Sequence, residues 1–136
     1  MGAETGKKLI LVIDDEPDVV TYLATLFNNN GYATESATNG IESIDKIKEE
    51  KPDLITLDIS MPEKSGIKFY REIKENPEWA DIPVLVITGV TGYGGEAESF
   101  ERFLSTRKQI PPPEGFIAKP LEDREDLLAK IKELIE

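Results

Sequence analysis

Cysteine and histidine are both missing from this chain. Without cysteine there is no disulfide framework. Without either residue the usual zinc sites, Cys-His nucleophiles and histidine acid–base catalysis are excluded. Any reactive chemistry is left to carboxylate, hydroxyl and ammonium groups. Long apolar runs are missing too: none approaches the roughly 20 residues that a bilayer helix needs. The opening MGAETGKK carries no apolar signal core, so the default expectation is a cytoplasmic protein with no membrane insertion. Positive charge is scarce. Lys and Arg number 16 against 27 Asp and Glu, a net charge of −11, and such a surface repels nucleic-acid phosphates and acidic membranes. Direct nucleic-acid binding is not expected, whereas a protein partner is.

What is present is enough for one domain: 136 residues, 39% hydrophobic and 32% charged, the proportions of a folded globular chain. Its most informative feature is a repeated ending. Asp14-Asp15 follow LILVI, Asp58 follows LITL, Thr88 follows VLVI and Lys119 follows GFIA. Short apolar runs bounded by turn residues read as buried strands, and four that stop at a reactive residue imply strand ends converging on one site.

Residues 1–7 read as a tail and 8–136 as the domain. A first strand over 8–13 leads into a helix opened by Asp15-Glu16-Pro17, with Val19, Val20, Leu23, Leu26 and Phe27 as its apolar face. Asn28-Asn29-Asn30-Gly31 ends it, and Tyr32 to Ser36 make a second strand. Asn39-Gly40 turns into a second helix whose buried side is expected to be Ile41, Ile44 and Ile47 with Lys48. Leu54 to Leu57 is the third strand, and Ile67, Phe69, Tyr70 and Ile73 belong to a third helix ending near Asn76-Pro77. Ile82 to Ile87 reads as a central strand covered on both faces. A further helix is predicted over Glu96 to about Lys108, a fifth strand over Phe116 to Ala118, and a last amphipathic helix over Leu121 to Glu136. Strand and helix alternating five times predicts an α/β fold, a doubly wound parallel sheet with helices on both faces. Ligands of such folds bind beyond the carboxyl ends of the strands.

VIDDEP, LDISMPEKSG, a threonine thirty residues after Asp58 and a Lys-Pro pair, in that order, resemble the receiver domain of two-component response regulators, of the chemotaxis-regulator type. The resemblance covers nearly the whole chain. It implies the flavodoxin-like strand order 2-1-3-4-5, Asp58 as phosphoryl acceptor, Ser60 as a metal ligand through its backbone carbonyl, and Thr88 and Lys119 as contacts to the phosphoryl oxygens. It also implies that Phe116 moves inward as Thr88 moves toward the phosphoryl group. The partners it implies are a sensor histidine kinase or histidine phosphotransfer protein upstream and an unidentified protein downstream, with homodimers through the last helices a frequent arrangement.

The residue types fit these roles. An aspartate attacks phosphorus poorly unless its target's charge is neutralised, which a hard cation held by neighbouring carboxylates can do. Asp15 and Asp58 are the direct ligands expected, with Asp14 beside them through water. An all-oxygen set favours Mg²⁺ or Mn²⁺ over zinc or copper. The donor must come from outside, since this chain has no histidine to phosphorylate. The protein is expected to be no enzyme beyond self-phosphorylation and autodephosphorylation.

Plainer readings stand beside these. Asp14-Asp15 could serve only to cap a helix, Thr88 alone is a β-former, Lys119 alone a solvated charge, and Phe116 equally a core aromatic. Two other functions share the residues: a small Mg²⁺-dependent phosphatase using Asp58 on diffusible substrates, and a receiver-like adaptor that is never phosphorylated. Gly89 to Gly115 is longer than the resemblance leads one to expect; a specialised partner surface, a loop that gates the phosphorylation site and simple tolerated length are the three readings, the first slightly favoured. With the last predicted helix running to Glu136, both a stand-alone receiver and a piece of a longer regulator are expected forms.

Overall fold

A computed structural model describes residues 7–58, 65–89, 114–119 and 124–135. Five parallel strands form one sheet: β1 (Leu9–Ile13), β2 (Ala33–Ala37), β3 (Leu54–Leu57), β4 (Val84–Gly89) and β5 (Gly115–Lys119), in the order β2-β1-β3-β4-β5. The helices among the described residues are α1 (Pro17–Asn29), α2 (Gly40–Glu49), α3 (Ser65–Glu75) and α4 (Arg124–Ile135). The helix predicted over Glu96 to Lys108 lies outside the described residues.

Side chains alternate across a strand, and here both faces are buried. Leu11, Ile13, Ile55, Leu57, Val84 and Val86 pack on one face with Ile47 of α2 and Phe69, Tyr70 and Ile73 of α3. Ile10, Val12, Leu54, Leu85 and Ile87 pack on the other with Leu23 and Phe27 of α1 and Leu127 and Ile131 of α4. Covering both faces explains why β1, β3 and β4 are apolar at nearly every position rather than at every second one. Each fully buried Leu, Ile or Phe contributes roughly 1.5–3 kcal/mol.

Local chemistry sets the element ends. Pro17 begins α1, where its missing N–H costs no hydrogen bond. After α1, Gly31 takes φ 92°, which turns the chain so that the Tyr32 amide donates to Phe27 O at 3.1 Å before β2. Asn39 caps α2 by accepting the Glu42 amide at 2.8 Å, while the Glu42 carboxylate accepts the Thr38 amide at 2.8 Å.

Two expectations need correction. Ile41 is 81% exposed; the buried positions of α2 are Ser43 and Ile47, with Ile44 partly buried. Ile41 and Ile47 lie about 120° apart around a helix of 3.6 residues per turn, at opposite margins of a face centred on Ile44; the Ile47 margin meets the core, whereas Ile41, in the first turn, stands on the wall of an open cleft. β4 also starts later than predicted and runs further. Ile82 closes a turn by donating to Trp79 O at 3.0 Å, and Thr88 and Gly89 still pair with Ala118 and Lys119.

Candidate functional site

Asp14 and Asp58 extend the even-numbered positions of β1 and β3. Val12 pairs with Thr56 and Ile13 with Leu57, so the next residue of each strand is an aspartate at the same level. The Asp58 amide donates to Ile13 O at 3.0 Å, and the Asp14 amide donates to Ala37 O at 3.1 Å. Backbone bonds thus hold both residues at the carboxyl edge of the sheet. Each is 1% exposed.

Asp15 and Glu16 complete the group. One carboxylate oxygen from each of Asp14, Asp15, Glu16 and Asp58 lies within 4.8 Å of the other three. Asp14 and Asp58 form the buried floor, and Asp15 and Glu16 are exposed at the rim. The Glu16 amide donates to Asp14 Oδ1 at 2.9 Å, a turn that points the chain from β1 into α1. Glu16 is itself the N-cap of α1 and makes no side-chain capping bond. Asp14 thus supports the start of the helix, as the plainer reading expects, but that role does not call for four carboxylates in one cluster. Glu16 is not among the site residues expected from the sequence, because it does not itself end an apolar run and stands next to the Pro17 that opens the helix.

Four carboxylates this close repel one another, and a divalent cation offsets that repulsion. The donors are all oxygen, two of them backed by fixed backbone bonds and two open to solvent. Such a set suits a hard cation that keeps part of its water shell, as Mg²⁺ does. Asp15 also stands on the wall of a cleft of about 730 Å³ between α2 and α3, lined further by Asn39, Ile41, Ile44, Lys48 and Phe69. The cluster is therefore approachable from that side.

Thr88 and Lys119 occupy the last turns of the ladder between β4 and β5, opposite Ala118 and Gly89 respectively. Their backbones bring them to the same sheet edge as the aspartates, since Leu57 pairs with Val86 two residues before Thr88. Phe116 pairs with Val86. These three residues are placed by backbone position alone. Ser60 lies outside the described residues.

The family model for the response regulator receiver domain matches residues 10–132. Among curated relatives, the alkaline phosphatase synthesis transcriptional regulatory protein PhoP of Bacillus subtilis is 30% identical over 94% of this chain and 48% of its own length. The polar-differentiation response regulator DivK of Brucella anthropi is 33% identical over 65% of this chain and 72% of its own. The chain thus spans about half the length of PhoP, and 60% of that of a relative from Nitratidesulfovibrio vulgaris. Among solved structures, the signal receiver domain of a signal transduction histidine kinase from Syntrophus aciditrophicus superposes with a TM-score of 0.78 at 29% identity, covering 94% of this chain and 89% of that one.

Proposed function

Because this chain belongs to the response regulator receiver domain family, we propose that it is a phosphorylation-activated switch. Asp58 accepts a phosphoryl group from a histidine kinase or histidine phosphotransfer protein, and the altered surface signals to a downstream protein. The observation that carries this reading is the burial of Asp58 inside a four-carboxylate cluster at the carboxyl edge of the sheet.

Asp15 and Asp58 would hold Mg²⁺ or Mn²⁺ directly, with Asp14 through water and the Ser60 carbonyl as a further ligand, and the cation would supply charge neutralisation for the incoming phosphoryl group. An Asp58 carboxylate oxygen forms the new P–O bond while the P–N bond to the donor imidazole breaks, and the imidazole leaves with that electron pair. Such transfers depend on positioning and charge stabilisation more than on covalent help from the protein. The fixed backbone of Asp58 supports the first. Lys119, a compact cation, and Thr88, a hydroxyl donor, are assigned to the phosphoryl oxygens.

The product stays on the chain, so this is self-phosphorylation and autodephosphorylation rather than turnover of a diffusible substrate. Thr88 and Phe116 form the switch pair, and phosphorylation biases an existing equilibrium between their positions. A cytoplasmic setting fits a donor of this kind, and no helix among the described residues is long and apolar enough to cross a membrane. The net charge of −11 favours protein partners over nucleic acid, and a homodimer would form through α4.

Incubation with acetyl phosphate and Mg²⁺, followed by intact mass, tests the reading. One phosphoryl adduct is expected, lost in Asp58→Asn and lost with chelator. Steady phosphate release from small monoesters would instead indicate a phosphatase. No adduct from either acetyl phosphate or a phosphohistidine donor would leave an unphosphorylated adaptor.

A further inference from the structure

At the amino end of the sheet, opposite the acidic cluster, Lys74 is buried, with a side chain only 1% exposed. Lysine is almost never buried this far unless it is paired. Its ammonium donates to Ile82 O at 3.0 Å and Ala80 O at 3.2 Å, and it reaches the two carboxylate oxygens of Glu114 at 3.4 and 3.5 Å. The ring of Tyr70 stacks near it, 5.8 Å from ammonium to centroid. Glu114 in turn grips the first residue of β4 twice: its Oε1 accepts the Val84 amide at 2.7 Å, and its own amide donates to Val84 O at 3.0 Å. Gly115, where β5 begins, has little room for a side chain. A Cβ there would lie 2.8 Å from Lys130 Cε of α4 and 3.0 Å from Leu85 Cδ1.

These contacts bear on one problem. In the sheet order β5 is the last strand and pairs with β4 alone, and residues 90–113 separate the two in sequence. A long link leaves strand register unspecified, and a slip of one residue moves every side chain to the opposite face. The two Glu114–Val84 bonds and the tight space at Gly115 favour the observed register, in which Lys119 pairs with Gly89. Lys74 holds Glu114 there, and it does so from α3, the helix that follows the segment after Asp58.

We propose that Lys74 is a positioning residue for phosphoryl transfer: through Glu114 it fixes the register of β5 and so sets Lys119 at the site. This rests on the functional reading given above, in which Lys119 binds the phosphoryl group.

The experiment measures phosphoryl uptake from acetyl phosphate, Mg²⁺ affinity and amide hydrogen exchange in the full chain, in Lys74→Met and in the milder Glu114→Gln. A one-residue slip displaces the Lys119 backbone by about 3.3 Å, and since a misplacement of about 1 Å can already cost on the order of 10²-fold in rate, uptake should fall about a hundredfold. Mg²⁺ affinity reports on β1 and β3 and should stay within about twofold. In a Lys119→Ala background, Lys74→Met should add no further loss. Unchanged uptake, a parallel fall in uptake and Mg²⁺ affinity, or an equal loss with and without Lys119 would overturn the proposal. If the parent protein takes no phosphoryl group, the functional reading fails and hydrogen exchange decides the register lock. Faster exchange confined to residues 115–119 in the variants supports the lock, and unchanged protection there refutes it.

Discussion

Thr56 sits in the centre of β3, two residues before Asp58, and is 1% exposed. Its hydroxyl has no hydrogen-bond partner among the described residues. An unsatisfied buried polar group costs about 1–3 kcal/mol, and valine has nearly the same shape. Thr56→Val should therefore raise stability by about 1 kcal/mol in urea unfolding while leaving phosphoryl uptake unchanged. A second residue-scale expectation concerns Asp81, whose carboxyl lies below its ordinary value of 3.8 because Lys51 hydrogen-bonds it and then attracts it. A carboxylate with a lowered folded pKa stabilises the fold above the unfolded value, and that contribution is lost as pH falls through the folded one. NMR titration should place the Asp81 midpoint below 3.8 in the parent protein and return it toward 3.8 in Lys51→Met. Asp14, Asp15 and Asp58 were legible in sequence because each interrupts an apolar run at a strand end. Thr56 was not, since a threonine inside a strand looks like any β-former.

The strands and helices show where pattern reading succeeds. Strands buried on both faces leave continuous apolar runs, so β1 and β3 were placed to within one residue. β4 was shifted because Ile82 and Pro83 look like strand residues, yet the Ile82 amide is spent on a turn to Trp79 O. In α2 the three isoleucines look alike in sequence and differ in burial. Ile47 is 2% exposed and packs between β1, β3 and α3, whereas Ile41 is 81% exposed. Ile47→Ala should cost about 2–4 kcal/mol, the range for emptying a packed core site, and Ile41→Ala should stay within about 0.5 kcal/mol. Chemical unfolding of the two variants checks the assignment; equal losses would place Ile41 in the core. The grip of Lys74 and Glu114 leaves no mark in the sequence because the two are forty residues apart, and nothing in either local pattern marks a partner.

For the molecule as a whole, one sheet separates two tasks. Its carboxyl edge gathers Asp14, Asp15, Glu16 and Asp58 together with the ends of β4 and β5. Its amino edge holds contacts that set register. There Asp53 repeats the pattern of Glu114, accepting the Leu9 amide through Oδ2 and donating its own amide to Leu9 O, both at 2.8 Å. Strand ends meet at a common level only if each strand is in register, so the second task supports the first. In the proposed function Asp58 alone carries the phosphoryl group. Borohydride reduction after treatment with acetyl phosphate and Mg²⁺, followed by peptide mass mapping, locates an acyl phosphate directly. A single reduced position is expected, residue 58, which disappears when Mg²⁺ is chelated. Reduction at Asp14, Asp15 or Glu16, or at residue 58 regardless of metal, would contradict it.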